Sequence, residues 1–291
     1  MQQRTLGPRT VSAIGLGAMP MSIEGRPDAQ RSIATIHAAL DAGVTLIDTA
    51  DSYHLHAGEV GHNEELITEA LRSYRGDTSE LLVATKGGHL RPGDGTWTQD
   101  GSPEHIRAAA KASAFRLDVD AIGLYYYHRP DPAVPYAEGI EALRDLLDEG
   151  VIELAGISNA NVAQIDLARE ILGDRLVAVQ NQFSPAFRSS LGELAHSAKL
   201  GIAFLPWSPL GGISRAGSMG TNRAFQNVAD AHDVSPQQVA LAWELAQSPG
   251  VIPIPGSSRP ASIEDSVKAA DLVLTDDELA TLHTARADAH V

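Results

Sequence analysis

The sequence predicts a (β/α)8 TIM barrel carrying an N-terminal β-hairpin, on three observations. Eight short apolar runs recur along the chain, near-continuous in Val, Ile, Leu and Ala, as strands buried on both faces of a parallel sheet must be. Consecutive runs are separated by enough chain for a helix. The 291 residues come close to the ~250 typical of one such barrel, and no shift in composition divides them, so 1–291 reads as a single domain.

In chain order, residues 2–12 (QQRTLGPRTVS) read as the hairpin, with Gly7-Pro8 at its turn. The strand runs then occupy 13–18, 45–49, 81–86, 121–128, 154–159, 177–183, 202–207 and 251–255. Ser102-Pro103-Glu104 supplies an N-cap, an N1 proline and a first-turn acid ahead of a helix over 106–117, and Ser235-Pro236 opens 237–247 in the same way. Leu40-Asp41-Ala42-Gly43 and Asp148-Glu149-Gly150 each end a helix on a glycine. Two long non-periodic connections, 87–101 and 208–222, follow the third and seventh runs. Both are Gly-rich and leave strand C-termini, the face where such barrels place active sites, so each is a candidate substrate loop or cofactor lid.

With 43% hydrophobic and 20% charged residues the chain is an ordinary globular one. Cysteine is absent, which excludes disulfides, thiolate metal sites and Cys nucleophiles. The N-terminal MQQRTLGPRT has no apolar run suited to a signal peptide, and no stretch approaches the ~18 apolar residues of a membrane span. A cytoplasmic protein without a membrane partner is expected. The formal net charge of −15, from 22 basic and 37 acidic residues, argues against nucleic acid as a partner. Any phosphate site must therefore be local.

Polar residues at the C-terminal ends of buried parallel strands converge on one mouth. The second run leads into Asp48-Thr49-Ala50-Asp51-Ser52-Tyr53, the third ends in Thr85-Lys86, and the fourth in Tyr127-His128. Singly, each has an ordinary structural reading: a strand-end Asp caps, a Tyr fills core, a Lys reaches solvent. Together they read differently. Lys86 follows an apolar run, so its ammonium is partly buried, and a buried ammonium is costly unless paired. Asp48 on the neighbouring strand is the natural partner. Such a pair beside a phenol is expected to stabilise phenolate, lower the proton affinity of Tyr53 and make it a usable acid near neutral pH.

The segments LIDTADSY, VATK, YYYH, GISN, VQNQ, PWSPLGG and PIPGSSR, in this order and spanning nearly the whole chain, resemble the aldo-keto reductases. The offset of five residues from Asp48 to Tyr53 belongs to the match. The resemblance implies an NADPH-dependent oxidoreductase acting on aldehydes or ketones, with hydride passing directly to the carbonyl carbon. It implies Tyr53 as proton donor, Lys86 and Asp48 as the groups that tune it, and His128 as the group that orients the carbonyl or assists proton transfer. No metal is implied, because Tyr53 and His128 take the polarising role.

Gly15-Leu16-Gly17-Ala18-Met19-Pro20 looks like a dinucleotide fingerprint but lacks the third glycine, and no helix opens directly behind it. The resemblance instead assigns Gly17, Ala18 and Met19, with Asp48, to the nicotinamide pocket. It assigns Ser158, Asn159 and Gln180 to the carboxamide; the alternative is capping of the following helices, and buried amides at 159 and 180 need specific partners. Trp207 would stack on the nicotinamide ring, or else fill core. Ser208, Pro209, Leu210 and Gly212 would wrap the pyrophosphate with backbone N–H groups, or else form a turn alone. Gly256, Ser258 and Arg259 stand where a helix opens after the eighth run, and hydroxyls plus a guanidinium there suit the 2′-phosphate of NADPH. The family often continues with Glu-Glu-Asn. Here Glu264-Asp265-Ser266 stands instead, with Ser262 at a position where a longer polar residue is common. Weaker adenine and phosphate contacts through Ser262, Asp265 and Ser266 are expected.

Met21, His54, Trp97 and Arg129 are expected to border a substrate pocket of mixed apolar and polar character. Arg129 would attract a carboxylate or phosphate, or make a surface ion pair. The short segment 213–221 implies an open mouth. A second reading is a metal-dependent TIM-barrel hydrolase, motivated by His54-Leu55-His56 with His62 and Glu64 nearby. Against it, these residues lie on a connection rather than alternating along a strand. A third is a nucleotide-binding regulatory subunit with slow turnover, which the full set of four catalytic residue types argues against. The expected partner is a small-molecule carbonyl substrate, and the sequence leaves oligomeric state open.

Overall fold

The computed structural model describes residues 1–212 and 222–285. β1 (Gln3–Leu6) and β2 (Arg9–Ser12) form the antiparallel hairpin. Gly7 at its tip takes φ +56°, and a Cβ there would stand 2.4 Å from Val177 Cγ1, so glycine alone lets the turn rest against the barrel. Leu6 and Val11 are thereby buried among Leu46, Leu82, Leu124, Leu154 and Val177, and the hairpin plugs the end of the barrel where the strands begin.

Next come β3 (Leu16–Gly17), α1 (Ala29–Asp41), β4 (Leu46–Asp48), α2 (His62–Ser73) and β5 (Leu82–Gly87). A small hairpin of β6 (His89–Leu90) and β7 (Thr98–Gln99) leads to α3 (Pro103–Leu117) and β8 (Ile122–Tyr127). α4 (Tyr136–Asp148), β9 (Ile152–Ser158), α5 (Val162–Leu172), β10 (Leu176–Gln180), α6 (Leu191–Leu200) and β11 (Ala203–Phe204) continue the alternation. α7 (Arg223–His232) and α8 (Pro236–Leu245) precede the eighth run, and α9 (Pro260–Val267) and α10 (Asp276–Thr284) follow it. β3, β4, β5, β8, β9, β10 and β11 lie side by side in that order, all parallel.

Alternation along each strand divides the core in two. Leu46, Ala84, Leu124, Tyr126, Ala178, Leu205 and Ile254 fill the barrel, while Tyr125, Tyr127, Ile157 and Val179 pack with residues of the surrounding helices. Helix starts follow their caps. Ser102 Oγ accepts from the His105 N–H ahead of α3, and Ser235 Oγ from the Gln238 N–H ahead of α8. Asn161 with Gln164 and Thr275 with Glu278 close capping boxes on α5 and α10.

The run at 251–255 closes the barrel without being a regular strand. Pro253 and Pro255 carry no N–H, so donors are missing on the side that faces β3. Closure there runs one way: Gly15 N–H donates to Pro253 O at 2.9 Å and Gly17 N–H to Pro255 O at 3.0 Å, until Ser257 N–H returns a bond to Gly17 O. On the β11 side bonds run both ways, with Phe204 N–H to Gly250 O and Ile252 N–H to Phe204 O. A Cβ on Gly17 would lie 2.7 Å from Ile254 O, so this seam admits no side chain there. The prolines explain why the first run keeps only Leu16–Gly17 as regular strand, and Pro206 stops β11 early for the same reason.

The connection at 87–101 is not structureless, since it holds the β6–β7 hairpin. Residues 213–221, expected to leave the mouth open, lie outside the described residues.

Candidate active site

A cavity of about 600 Å³ opens at the C-terminal ends of the strands, within the range of small-molecule sites. Asp48 ends β4, Lys86 is the next-to-last residue of β5, His128 directly follows β8, and Tyr53 lies on the connection from β4 to α2. Lys86 is fully buried, and its Nζ donates to Asp48 Oδ1 at 2.5 Å, Thr49 O at 2.6 Å and Tyr53 Oη at 3.1 Å. Those three bonds account for every proton of the ammonium. Asp48 Oδ2 accepts from Gln180 Nε2 at 2.7 Å. A charge pair so completely bonded is tolerable away from water.

Burial alone would pull the Lys86 pKa down, but Asp48 and Tyr53 outweigh it and leave the ammonium above the ordinary lysine value. For Tyr53 the balance runs opposite to the expectation from sequence. Burial raises its pKa above the ordinary phenol value and Asp48 adds to the rise, together outweighing the pull of Lys86. The resting phenol is thus held protonated, because exclusion of water penalises phenolate more than one nearby ammonium relieves it. Burial first, then the charge of Lys86, pushes His128 well below the ordinary imidazole range, so it is neutral at physiological pH. Its ring meets that of Tyr53 edge-on at 5.8 Å, and its Nδ1 is buried without a hydrogen-bond partner.

Gly17, Met19, Ser158, Asn159, Gln180 and Trp207 line the same cavity. The amide nitrogens at 159 and 180 already have partners within the protein. Asn159 Nδ2 donates to His128 O and Ser158 Oγ, both at 3.0 Å, Ser158 Oγ donates to Gln180 O, and Gln180 is bound to Asp48. Neighbouring strand ends bring these groups within mutual reach. Trp207 keeps its indole N–H buried and unpartnered. Ser208 follows with φ +53°, a left-handed conformation costing about 1–2 kcal/mol, and Pro209, Leu210 and Gly212 extend this wall.

At the far end, Gly256, Ser258, Arg259 and Ser262 line the cavity where α9 begins. Arg259 is exposed at the N-cap and has no ion-pair partner among the described residues. Asp265 also lines the wall, but its two oxygens accept from Ser235 Oγ and Gln238 Nε2, each at 2.6 Å, which ties α9 to α8. Ser266 Oγ donates to Ser262 O.

Three expected site residues are placed elsewhere. Ala18 and Met21 are packed into the apolar layer with Ile36, Ile47 and Ile67, and neither reaches the cavity. His54 is also absent from its wall: it is buried with Nδ1 on His56 O, and its own carbonyl accepts from Arg91. The residues behind the hydrolase reading are likewise dispersed. His62 pairs with Ser22 Oγ, and Glu64 accepts from Thr85 Oγ1 and Arg116 Nε. Among the described residues no three His, Cys, Asp or Glu side chains gather as a metal-binding group.

Trp97 and Arg129 line the cavity, joined by a residue the sequence did not flag. His89, on β6, stacks on Trp97 at 4.7 Å and meets His128 edge-on at 4.9 Å. Burial and the charge of Arg129 bring its pKa down to about 4. A lone imidazole in a glycine-rich stretch carries no periodic signal, and its only cue is its nearness to Lys86 in the chain. Ser257, 3% exposed with an unpartnered hydroxyl in the cavity wall, sits inside the motif PIPGSSR between residues that were singled out.

The sequence profile of the Aldo/keto reductase family matches residues 13–287. The chain is 35% identical over 283 residues to an uncharacterized oxidoreductase of Schizosaccharomyces pombe, covering 95% of this chain and 87% of that one. It is 32% identical over 288 residues to a pyridoxine 4-dehydrogenase of Escherichia coli, covering 96% of each. Among solved structures, a glycerol dehydrogenase from Gluconobacter oxydans matches with a TM-score of 0.82 at 26% identity, over 96% of this chain and 93% of its own.

Proposed function

The chain belongs to the aldo/keto reductase family, and from that premise we propose an NADPH-dependent oxidoreductase that reduces an aldehyde or ketone to an alcohol, with Tyr53 as general acid. The observation that carries this reading is the buried Lys86 ammonium, bonded at once to Asp48, Thr49 O and the Tyr53 hydroxyl beside the cavity. Burial keeps Tyr53 protonated at neutral pH, so it enters turnover as a donor. As negative charge grows on the carbonyl oxygen, the phenol proton passes to it. The phenolate left behind lies 3.1 Å from the Lys86 ammonium, which Asp48 and Thr49 O hold in place. His128, uncharged, offers an N–H to the same oxygen and orients the substrate.

The residues of the cavity fit a dinucleotide. Trp207 would offer its indole to a nicotinamide ring, with Gly17, Met19, Ser158 and Asn159 as further contacts. Backbone N–H groups at Ser208, Leu210 and Gly212, in the same wall, would hold a pyrophosphate. Arg259 and the unpartnered Ser257 hydroxyl stand at the start of α9, suited to a 2′-phosphate. When bound, the reduced nicotinamide supplies the hydride to the carbonyl carbon. Among the described residues no helix is long and apolar enough to cross a membrane, and a cytoplasmic setting belongs to the same proposal.

Tyr53→Phe is expected to lower turnover by about 10²–10⁴-fold in an NADPH-oxidation assay while NADPH binding, read by fluorescence, is retained. Undiminished turnover would remove Tyr53 from the reaction. Repeating the assay over a carbonyl panel with NADH checks the cofactor, and equal kcat/KM for the two would remove the role given to Arg259.

A further inference from the structure

Arg129 follows His128 at the barrel mouth and shares a cavity wall with Tyr53, His89 and Trp97. Its side chain is half-buried, its Nε is buried without a partner, and no acidic side chain among the described residues pairs with it. Asp131, two residues on, accepts from the N–H groups of Gly101 and Ala133, and Asp100 accepts from Ser102. A guanidinium moved partly out of water loses hydration that a paired acid ordinarily replaces. Its burial lowers its pKa from the ordinary arginine value. The same charge helps hold His128 and His89 neutral, so it acts where the carbonyl would bind.

The wall around Arg129 carries the rings of Tyr53, His89 and Trp97. Trp97 stacks on His89, and the Arg91 guanidinium covers Trp97 at 4.8 Å, so the indole is held in place. A ligand could rest its carbon body on this wall and direct one charged group to Arg129. The planar fork of a guanidinium suits two-oxygen acceptors.

We infer that the substrate is a carbonyl compound bearing an oxyanion, a carboxylate or a phosphate, and that Arg129 binds this group and sets specificity for it. The inference rests on the carbonyl-reductase reading above. It makes the missing acid of Arg129 part of the ligand.

The test uses the full chain with saturating NADPH and matched substrates: 4-carboxybenzaldehyde against 4-methylbenzaldehyde, and glyceraldehyde 3-phosphate against glyceraldehyde. The charged member of at least one pair is expected to have a kcat/KM about tenfold or more higher, mostly through KM, and the favoured pair tells carboxylate from phosphate. In Arg129→Met that ratio is expected to fall to near one, and Arg129→Lys to restore part of it. Calorimetric titration with 4-(hydroxymethyl)benzoate and glycerol 3-phosphate, without NADPH, reads binding apart from turnover and should weaken at least tenfold in Arg129→Met for the favoured anion. Circular dichroism checks that both variants fold. Turnover of both members without charge preference, or a preference that survives Arg129→Met, overturns this inference alone. Absence of turnover on every substrate overturns the carbonyl-reductase reading and this inference with it.

Discussion

At Lys86 three N–H donors meet a carboxylate, a backbone carbonyl and a phenol, and their structural and chemical contributions can be separated. Lys86→Met strands a buried Asp48 with Gln180 as its remaining side-chain donor, which is expected to destabilise the protein by about 3–5 kcal/mol. Adding Asp48→Asn removes the stranded charge, so the double variant should recover most of that stability in urea unfolding yet stay inactive in NADPH oxidation. Equal instability of the single and double variants would show that the Asp48 charge is not what Lys86 holds. Asp48, Lys86 and His128 were legible as a group because buried runs locate strand ends and strand ends locate the mouth, whereas Tyr53, on the connection after β4, was legible through the resemblance. The proton affinity of Tyr53 was not. It is a sum of opposed effects, and its sign depends on how fully distant elements exclude water from the phenol. One partner of Asn159 was hidden for a related reason, since backbone carbonyls such as His128 O leave no trace in a sequence pattern.

Among the elements, the N-terminal hairpin and the mouth of the cavity occupy opposite ends of the same strands. Leu6 is fully buried under the barrel, so Leu6→Ala is expected to lower unfolding stability by about 2–5 kcal/mol while kcat at 25 °C changes little. A large loss of kcat in a variant that remains folded would show that the floor and the mouth are coupled. The hairpin was legible from its turn residues, and the strands from runs of Val, Ile, Leu and Ala. What stayed hidden were elements too short to display a period, such as β6 and β7 with two residues each, and with them the position of His89. The eighth run was located correctly, but its prolines change how it pairs in a way that apolar content does not report.

For the molecule as a whole, stability should depend on pH through a buried acid behind the site. Burial, reinforced by Glu64 and only partly offset by Arg116, raises Asp51 to about 8. The native state therefore keeps a proton that the unfolded chain, with an aspartate pKa of roughly 3.9, has released. Linkage then makes this contribution fall as pH rises from about 4 to about 8 and level off above. Asp51→Asn should flatten that slope and be the more stable protein by roughly 1–3 kcal/mol above pH 8, read from urea midpoints at several pH values. Parallel curves for the two proteins would exclude Asp51 as the source. The overall charge of −15 and the eight-unit plan were open to sequence reading, while the pairing that joins the last unit to the first depends on atoms that prolines lack. That joint bears on self-association. If the barrel springs open between β3 and the eighth run, the strand edge it uncovers carries Pro253 and Pro255, and a strand from another copy finds no N–H at either residue. That edge thus offers an intruding strand acceptors but no donors at these two residues, while the β3 edge keeps the Gly15 and Gly17 N–H groups, so of the two edges the proline-bearing one is the poorer template for aggregation.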